Sequence, residues 1–306
     1  MKHISVLLDE TLNGLSIQPT GTYVDATLGG GGHAAGILSR LTSGKLLGFD
    51  QDLLALEQTK VRLGEYHNKV ELIHANFSQL QVELATRRIQ QVDGIVMDIG
   101  VSSFQLDDPA RGFSYHHDAP LDMRMDPTQA VTAAEIVNTY EADQLKTLFT
   151  TGEVPFTNRL VEEILRVRAV QPISTTFELV DVVQSVAPRV EKQKRHPARL
   201  VFQALRLETN QELLVLPQAI EQALTILRIG GRLAIITFHS LEDRIVKQAF
   251  VKASSLDIPQ GVPIATKGMQ ADFKLITKRP IVPSANELAS NPRAKSAKLR
   301  IIERVQ

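Results

Sequence analysis

The sequence predicts an α/β fold on a mainly parallel sheet, interrupted by a long all-helical insertion. Three observations carry that prediction. A short β-prone run ends at Asp25, four glycines follow at Gly29 to Gly32, and an apolar helical run continues from Ala34 to Leu41. Further apolar strands then alternate with helical stretches as far as Asp98, the pattern of parallel strands with helices on both faces. From about Asp108 to Asn210 the strand pattern is lost and helical periodicity takes over, until a last parallel-type strand at Arg232 to Phe238. The expected divisions are residues 1–107 and 211–306 for the sheet domain and 108–210 for the insertion.

Each element follows from local pattern. Gly44 to Asp50 reads as the second strand, Leu53 to Leu63 as a helix, Val70 to Ala75 as the third strand and Gly94 to Asp98 as the fourth. Three strands thus end in carboxylates, Asp25, Asp50 and Asp98, and the third ends near Asn76-Phe77. In such sheets ligands bind outside the carboxyl ends of the strands. A carboxylate after a strand is often only a helix N-cap, a role open to Asp52 and Ser78 as well. Within the insertion, Leu160, Ile164 and Val167 form one helical stripe, Thr175 and Glu178 form a capping box, and Pro197 suits a first helical turn. Beyond it, Gln211 to Leu227 reads as a helix, Gly230-Gly231 as a turn, and Ser240 as the cap of another helix. Leu275 to Lys278 and Leu299 to Val305 read as closing strands.

Composition narrows the function. The 306 residues are 43% hydrophobic and 22% charged, ordinary for a globular chain. The absence of cysteine excludes disulfides and thiolate chemistry, argues against a zinc site, and fits a reducing compartment. No apolar run reaches membrane-spanning length, and the N-terminal run contains Asp9 and Glu10, unlike a signal peptide. A cytoplasmic protein is expected. Lys plus Arg equals Asp plus Glu at 34 each, so nucleic-acid binding requires local basic patches. Two exist: Arg189, Lys192, Lys194, Arg195, Arg199 and Arg206 in the insertion, and Arg293, Lys295, Lys298 and Arg300 near the end. A charge run is usually a solvated face, but the first patch sits where a substrate-gripping lid is expected.

The glycine turn admits two ligand readings. Gly29-x-Gly31-x-x-Ala34 satisfies the dinucleotide fingerprint. An acidic residue ahead of the glycines instead matches the first motif of S-adenosylmethionine-dependent methyltransferases. Asp50 falls 25 residues after Asp25, near the place of a ribose-binding acid. Phe77 suits an adenine face or a plain core position. His239 belongs on the ligand rim, and a lone histidine there is more often structural than catalytic.

Longer stretches decide between these readings. They are His3-x-x-Val6-Leu7-Leu8-Asp9-Glu10, Asp25-Ala-Thr-Leu-Gly29-Gly-Gly-Gly-His33, Asp98-Ile-Gly-Val-Ser-Ser-Phe-Gln105-Leu-Asp107, Leu121-Asp-Met-Arg-Met-Asp126, Phe238-His-Ser-Leu-Glu-Asp-Arg-Ile-Val-Lys247 and Asn291-Pro-Arg-Ala-Lys-Ser296. Together they resemble the bacterial ribosomal RNA small subunit methyltransferase H family, from residue 3 to the C-terminus. The resemblance implies a class I S-adenosylmethionine-dependent methyltransferase, Rossmann-like, with a helical substrate domain inserted. It implies methylation of the exocyclic N4 amine of a cytidine in the decoding region of 16S ribosomal RNA, within the small subunit. It also implies cofactor contacts at Gly31, Gly32, His33, Asp50, Phe77, Asp98 and Gln105. Many amino-methyltransferases carry Asp/Asn-Pro-Pro-aromatic after the fourth strand, whereas here Ile-Gly-Val follows Asp98.

Asp98 is the catalytic candidate, as an acceptor for the target amine. Arg124, in the Leu121–Asp126 loop, and Lys192, Lys194 and Arg195 in the insertion are the candidate RNA contacts. No metal is expected, and a homodimer is compatible with the sequence. Three other functions compete: a small-molecule methyltransferase, a non-catalytic RNA-binding or assembly factor, and an NAD-dependent oxidoreductase.

Overall fold

The computed structural model describes residues 5–194, 196–256 and 270–306, with the side chains of 103 and 192–194 left aside. It divides into two compact units, residues 1–100 with 214–306, and residues 101–213. The chain passes through α1 (Leu8–Gly14), β1 (Thr22–Asp25), α2 (Gly32–Leu38), β2 (Lys45–Asp50), α3 (Leu53–Arg62), β3 (Val70–His74), α4 (Leu80–Thr86) and β4 (Val92–Asp98). Then come α5 (Ser103–Asp107), α6 (Ala133–Thr139), α7 (Ala142–Thr151), α8 (Thr157–Arg168), α9 (Thr176–Val186), α10 (Arg189–Lys194) and α11 (Ala198–Thr209). The chain ends with α12 (Glu212–Ile226), β5 (Leu227–Thr237), α13 (Ser240–Ala253), β6 (Phe273–Leu275), α14 (Ala285–Ser290) and β7 (Lys298–Arg304).

The seven strands form one sheet in the order β3-β2-β1-β4-β5-β7-β6. β1 to β5 run parallel, and β7 lies antiparallel to both β5 and β6. This is the class I methyltransferase fold. The strands alternate between two buried faces. Val24, Leu47, Ile95, Met97, Leu233 and Ile235 pack with α4, α12 and α13, while Tyr23, Leu46, Val96, Ala234 and Ile236 pack with α1, α2 and α3. Two buried faces explain why the strands read as unbroken apolar runs. The chain winds outward from β1 to β3 and then crosses back to β4. The switch point therefore lies between β1 and β4, where open α/β sheets bind ligands.

Four sequence expectations are corrected locally. Gly230-Gly231 is not a turn before the strand. It belongs to a bulge inside β5, where Val92 pairs with Leu227 but Gly94 pairs with Arg232, so two steps on β4 face five on β5. Gly230 adopts φ +81°, which a side chain would resist. The penultimate strand begins earlier, at Phe273. α1 had no expected counterpart, because seven residues hold too few turns for a periodicity to show. The cap of α13 is His239, one residue before Ser240.

The helical unit has its own core, built by Leu145, Phe149, Leu160, Ile164, Leu179, Val183, Val201 and Leu205. The expected stripe holds: Leu160 and Ile164 are fully buried and Val167 packs beside them. Capping boxes at Ser102/Gln105, Thr132/Glu135 and Thr175/Glu178 start α5, α6 and α9. Among the described residues no helix is long and apolar enough to cross a membrane.

Candidate active site

The glycine turn is held by its neighbours on the sheet unit. Gly29 N–H donates to Asp50 Oδ2 at 2.8 Å, Thr59 Oγ1 donates to the Gly29 carbonyl at 2.6 Å, and Arg62 Nη1 donates to the Gly30 carbonyl at 2.6 Å. α3 thus clamps the turn that α2 leaves from. Gly31 has φ +69°, and a Cβ there would lie 2.5 Å from Thr59 Cγ2; one on Gly32 would collide with Ser5 Oγ. The bare backbone at these two positions therefore serves close packing of the protein on itself.

Three carboxylates end the central strands. Asp25 is 1% exposed; its Oδ1 accepts the Thr27 N–H at 3.2 Å, and its Oδ2 is buried with no hydrogen-bond partner among the described residues. Asp50 accepts the Asp52 N–H at 2.9 Å on the oxygen not used by Gly29. Asp98 has a buried Oδ1 that is likewise unpartnered, although 23% of its side-chain surface remains exposed. Burial raises all three pKa values because charge is poorly solvated there. Asp25 rises to about 7, with the Asp50 charge adding to burial and the Thr27 and Ala34 N–H groups opposing it. Asp50 rises to about 6, burial with the Asp52 charge outweighing the backbone donors of Asp52, Gly29 and Gln51. Asp98 rises to about 8, through burial first and then the charges of Asp25 and Glu242. Acids so perturbed at a switch point make this rim the candidate site.

Two histidines border the carboxylates. His33, in the first turn of α2, lies with Nε2 3.0 Å from the Val6 carbonyl and Nδ1 3.7 Å from Asp98 Oδ2. A carbonyl only accepts, so Nε2 carries the proton. His239 caps α13 by accepting the Glu242 N–H on Nδ1 at 3.4 Å, and its Nε2 lies 2.7 Å from Glu242 Oε1. Glu242, 1% exposed, also accepts the Phe238 N–H at 2.9 Å. Sequence reasoning missed Glu242 because it placed the capping box one residue late. The pair His239 and Glu242, three apart after a strand, was the available signal.

Phe77 is half-buried and packs on the core beside β1 and β2. Gln105 belongs to the helical unit, is 4% exposed, and accepts the Ser102 N–H at 2.9 Å in the capping box of α5. Arg124 organises its own loop. Nε and Nη2 grip Asp122 at 2.9 and 2.7 Å, and Nη1 donates to the Pro127 carbonyl at 2.9 Å and to that of Gln129. Arg195 and the side chains of Lys192 and Lys194 lie outside the described residues. The basic clusters are partly internal: Arg206 pairs with Glu212 at 2.8 Å, while Arg300 and Lys298 clasp Asp243 at 2.7 and 3.1 Å.

Residues 1–305 match the model of the MraW methylase family. It is 48% identical over 309 residues to the ribosomal RNA small subunit methyltransferase H of Limosilactobacillus fermentum, covering 99% of this chain and 98% of that one. Among solved structures, an rRNA methylase from Streptococcus thermophilus aligns over 99% of both chains at 14% identity and a TM-score of 0.44. A SAM-dependent O-methyltransferase from Thermotoga maritima aligns over all of this chain and 69% of its own, at 9% identity and a TM-score of 0.44. The family model and the close relative agree over the full length, and this chain belongs to the MraW methylase family.

Proposed function

We propose that the chain methylates the exocyclic N4 amine of a cytidine in the decoding region of 16S ribosomal RNA, acting in the cytoplasm on the small ribosomal subunit. The methyl donor is S-adenosylmethionine. One observation carries the reading: buried carboxylates with unpartnered oxygens, Asp25 Oδ2 and Asp98 Oδ1, end adjacent strands at the switch point. Such oxygens call for a ligand that brings positive charge and hydrogen-bond donors. S-adenosylmethionine fits, since it has a sulfonium, an ammonium and a ribose diol. The substrate class comes from the relative named as a ribosomal RNA small subunit methyltransferase, and the N4 position from the family resemblance.

When bound, S-adenosylmethionine supplies an electrophilic methyl group on a positively charged sulfur. Asp50 is suited to the ribose hydroxyls, because each of its oxygens keeps a lone pair beyond its backbone bond. Asp98 is the acceptor for the amine: a hydrogen bond from N4–H draws the lone pair out of the ring and towards the methyl carbon. The N–C bond would form as the C–S bond breaks to leave a neutral thioether, and the proton on nitrogen would pass to the ionised Asp98. Holding the groups in line supplies much of the rate, and the target base must be splayed from its stack to arrive.

The cysteine-free sequence argues against methylation at cytosine C5, which commonly needs a thiolate nucleophile. No lysine ends β1, β2 or β4, as ribose methylation would favour. The test uses small subunits from a strain lacking the activity, labelled cofactor and nucleoside analysis by mass spectrometry. N4-methylcytidine is the expected product; a methyl group on C5, on ribose or on adenine overturns the reading. Replacing Lys192, Lys194 and Arg195 together should flatten the salt dependence of RNA affinity and leave cofactor affinity intact.

A further inference from the structure

The helical unit carries a group of rings that the proposed chemistry does not use. Tyr115 and His196 lie face to face, with centroids 4.6 Å apart and planes 13° from parallel. Phe202, 3% exposed, meets Tyr115 edge-on at 5.6 Å and 81°. His116 tilts against the same ring at 4.4 Å and 48°. Phe202 belongs to the core, whereas Tyr115 and His196 are only half-buried and His116 is exposed. The ring stack therefore starts in the core and runs out to the surface.

The outer rings are held in place. Ala198 N–H donates to His196 Nδ1 at 3.3 Å, so the ring's proton sits on Nε2 and the imidazole is neutral. Burial and then the neighbouring His116 hold His196 below the ordinary imidazole pKa. Pro197 fixes φ at −65° at the cap of α11, which sets the direction of the preceding residue. Each ring spends one face on the other, so the face left for a ligand is the outer one of the neutral imidazole, with Nε2–H at its edge. Arg199 and the exposed Arg189 lie on the same stretch of chain. Aromatic faces beside cations are the general design for holding unpaired nucleic acid, because every base has a π-face.

We infer that Tyr115 and His196 form a stacking platform that receives one unpaired nucleobase of the RNA substrate. This rests on the reading that the chain acts on RNA. The platform contacts substrate and takes no part in methyl transfer.

The chain contains no tryptophan, so Tyr115→Trp provides a single fluorescent reporter. The full-length variant is titrated with a short single-stranded oligoribonucleotide and with an abasic strand of the same length. Saturable quenching by the first and not by the second is expected. Equal quenching by both, or none, overturns the platform. His196→Asn keeps an acceptor for the Ala198 N–H and removes the ring. It should weaken binding of labelled RNA about tenfold, the scale of one lost base stack, with melting temperature and S-adenosylmethionine affinity unchanged. RNA affinity equal to the parent's overturns the proposal even if the tryptophan variant misfolds. The product assay separates the two readings. Parental enzyme that makes N4-methylcytidine while both variants bind RNA normally sinks only the platform. Variants that lose RNA binding, in a protein yielding another product, sink only the N4 assignment.

Discussion

His33 Nδ1 and Asp98 Oδ2 face each other at 3.7 Å, with the opposite imidazole nitrogen turned to the Val6 carbonyl at 3.0 Å. The backbone bond fixes which nitrogen meets the acid. Burial first, and then the charges of Asp25 and Glu242, push the Asp98 carboxyl up to about 8. At 3.7 Å the two side chains are neighbours within charge range and are not hydrogen-bonded to each other.

Asp98→Asn should stabilise the ligand-free protein at alkaline pH. The folded pKa is raised above the unfolded one, so the acid's contribution is full below about 4 and is lost as pH climbs towards about 8. At pH 8 the variant should gain about 1–3 kcal/mol, the scale of an unsatisfied buried polar group, and near pH 4 it should match the parent. Chemical denaturation at both pH values tests this. A parent whose stability rises from pH 5 to 8 as steeply as the variant's would remove the raised acid.

Cofactor affinity should depend on pH through the same groups. Asp50, Asp25 and Asp98 titrate at about 6, 7 and 8, so a cationic ligand must release protons at neutral pH. S-adenosylmethionine affinity should rise between pH 6 and 8, by up to about tenfold per unit for each proton released. S-adenosylhomocysteine, whose sulfur is uncharged, should show a shallower rise. Calorimetry in buffers of different ionisation enthalpy measures both; equal slopes would show that the carboxylates do not sense the sulfonium.

Asp50→Ala should weaken S-adenosylmethionine binding by about 1.5–3 kcal/mol, the range for hydrogen bonds to a charged group. The loss combines ribose contacts with the freed Gly29 N–H, which Asp50 holds at 2.8 Å. Unchanged affinity with an intact circular dichroism spectrum would remove Asp50 from the cofactor site.

Asp243→Asn should destabilise the sheet unit by about 2–4 kcal/mol, since it strips a largely buried Arg300 of its partner. Burial alone would raise the Asp243 pKa, but Arg300 and Lys298 outweigh it and hold the acid below its usual range. Its contribution is therefore present above the unfolded value and fades as pH falls through the folded one. A melting temperature within one degree of the parent at pH 7 would show the clasp to be without weight.

The strands, most helices and the acid-ended rim were legible in the sequence, because apolar periodicity and strand-terminal carboxylates are local patterns. Asp25, Asp50 and Asp98 were found by position alone. Tertiary structure decided what local pattern does not encode. Gly31 and Gly32 face Thr59 and Ser5, 28 and 27 residues away in sequence, so the turn's tightness is set by packing across the unit. Lys298 and Arg300 read as part of a basic patch until Asp243 came within bonding distance. Glu242 became part of the site only when the end of β5 brought His239 to the cap of α13. The raised acids depend on burial and on neighbouring charge, which arise only when separate strands end side by side.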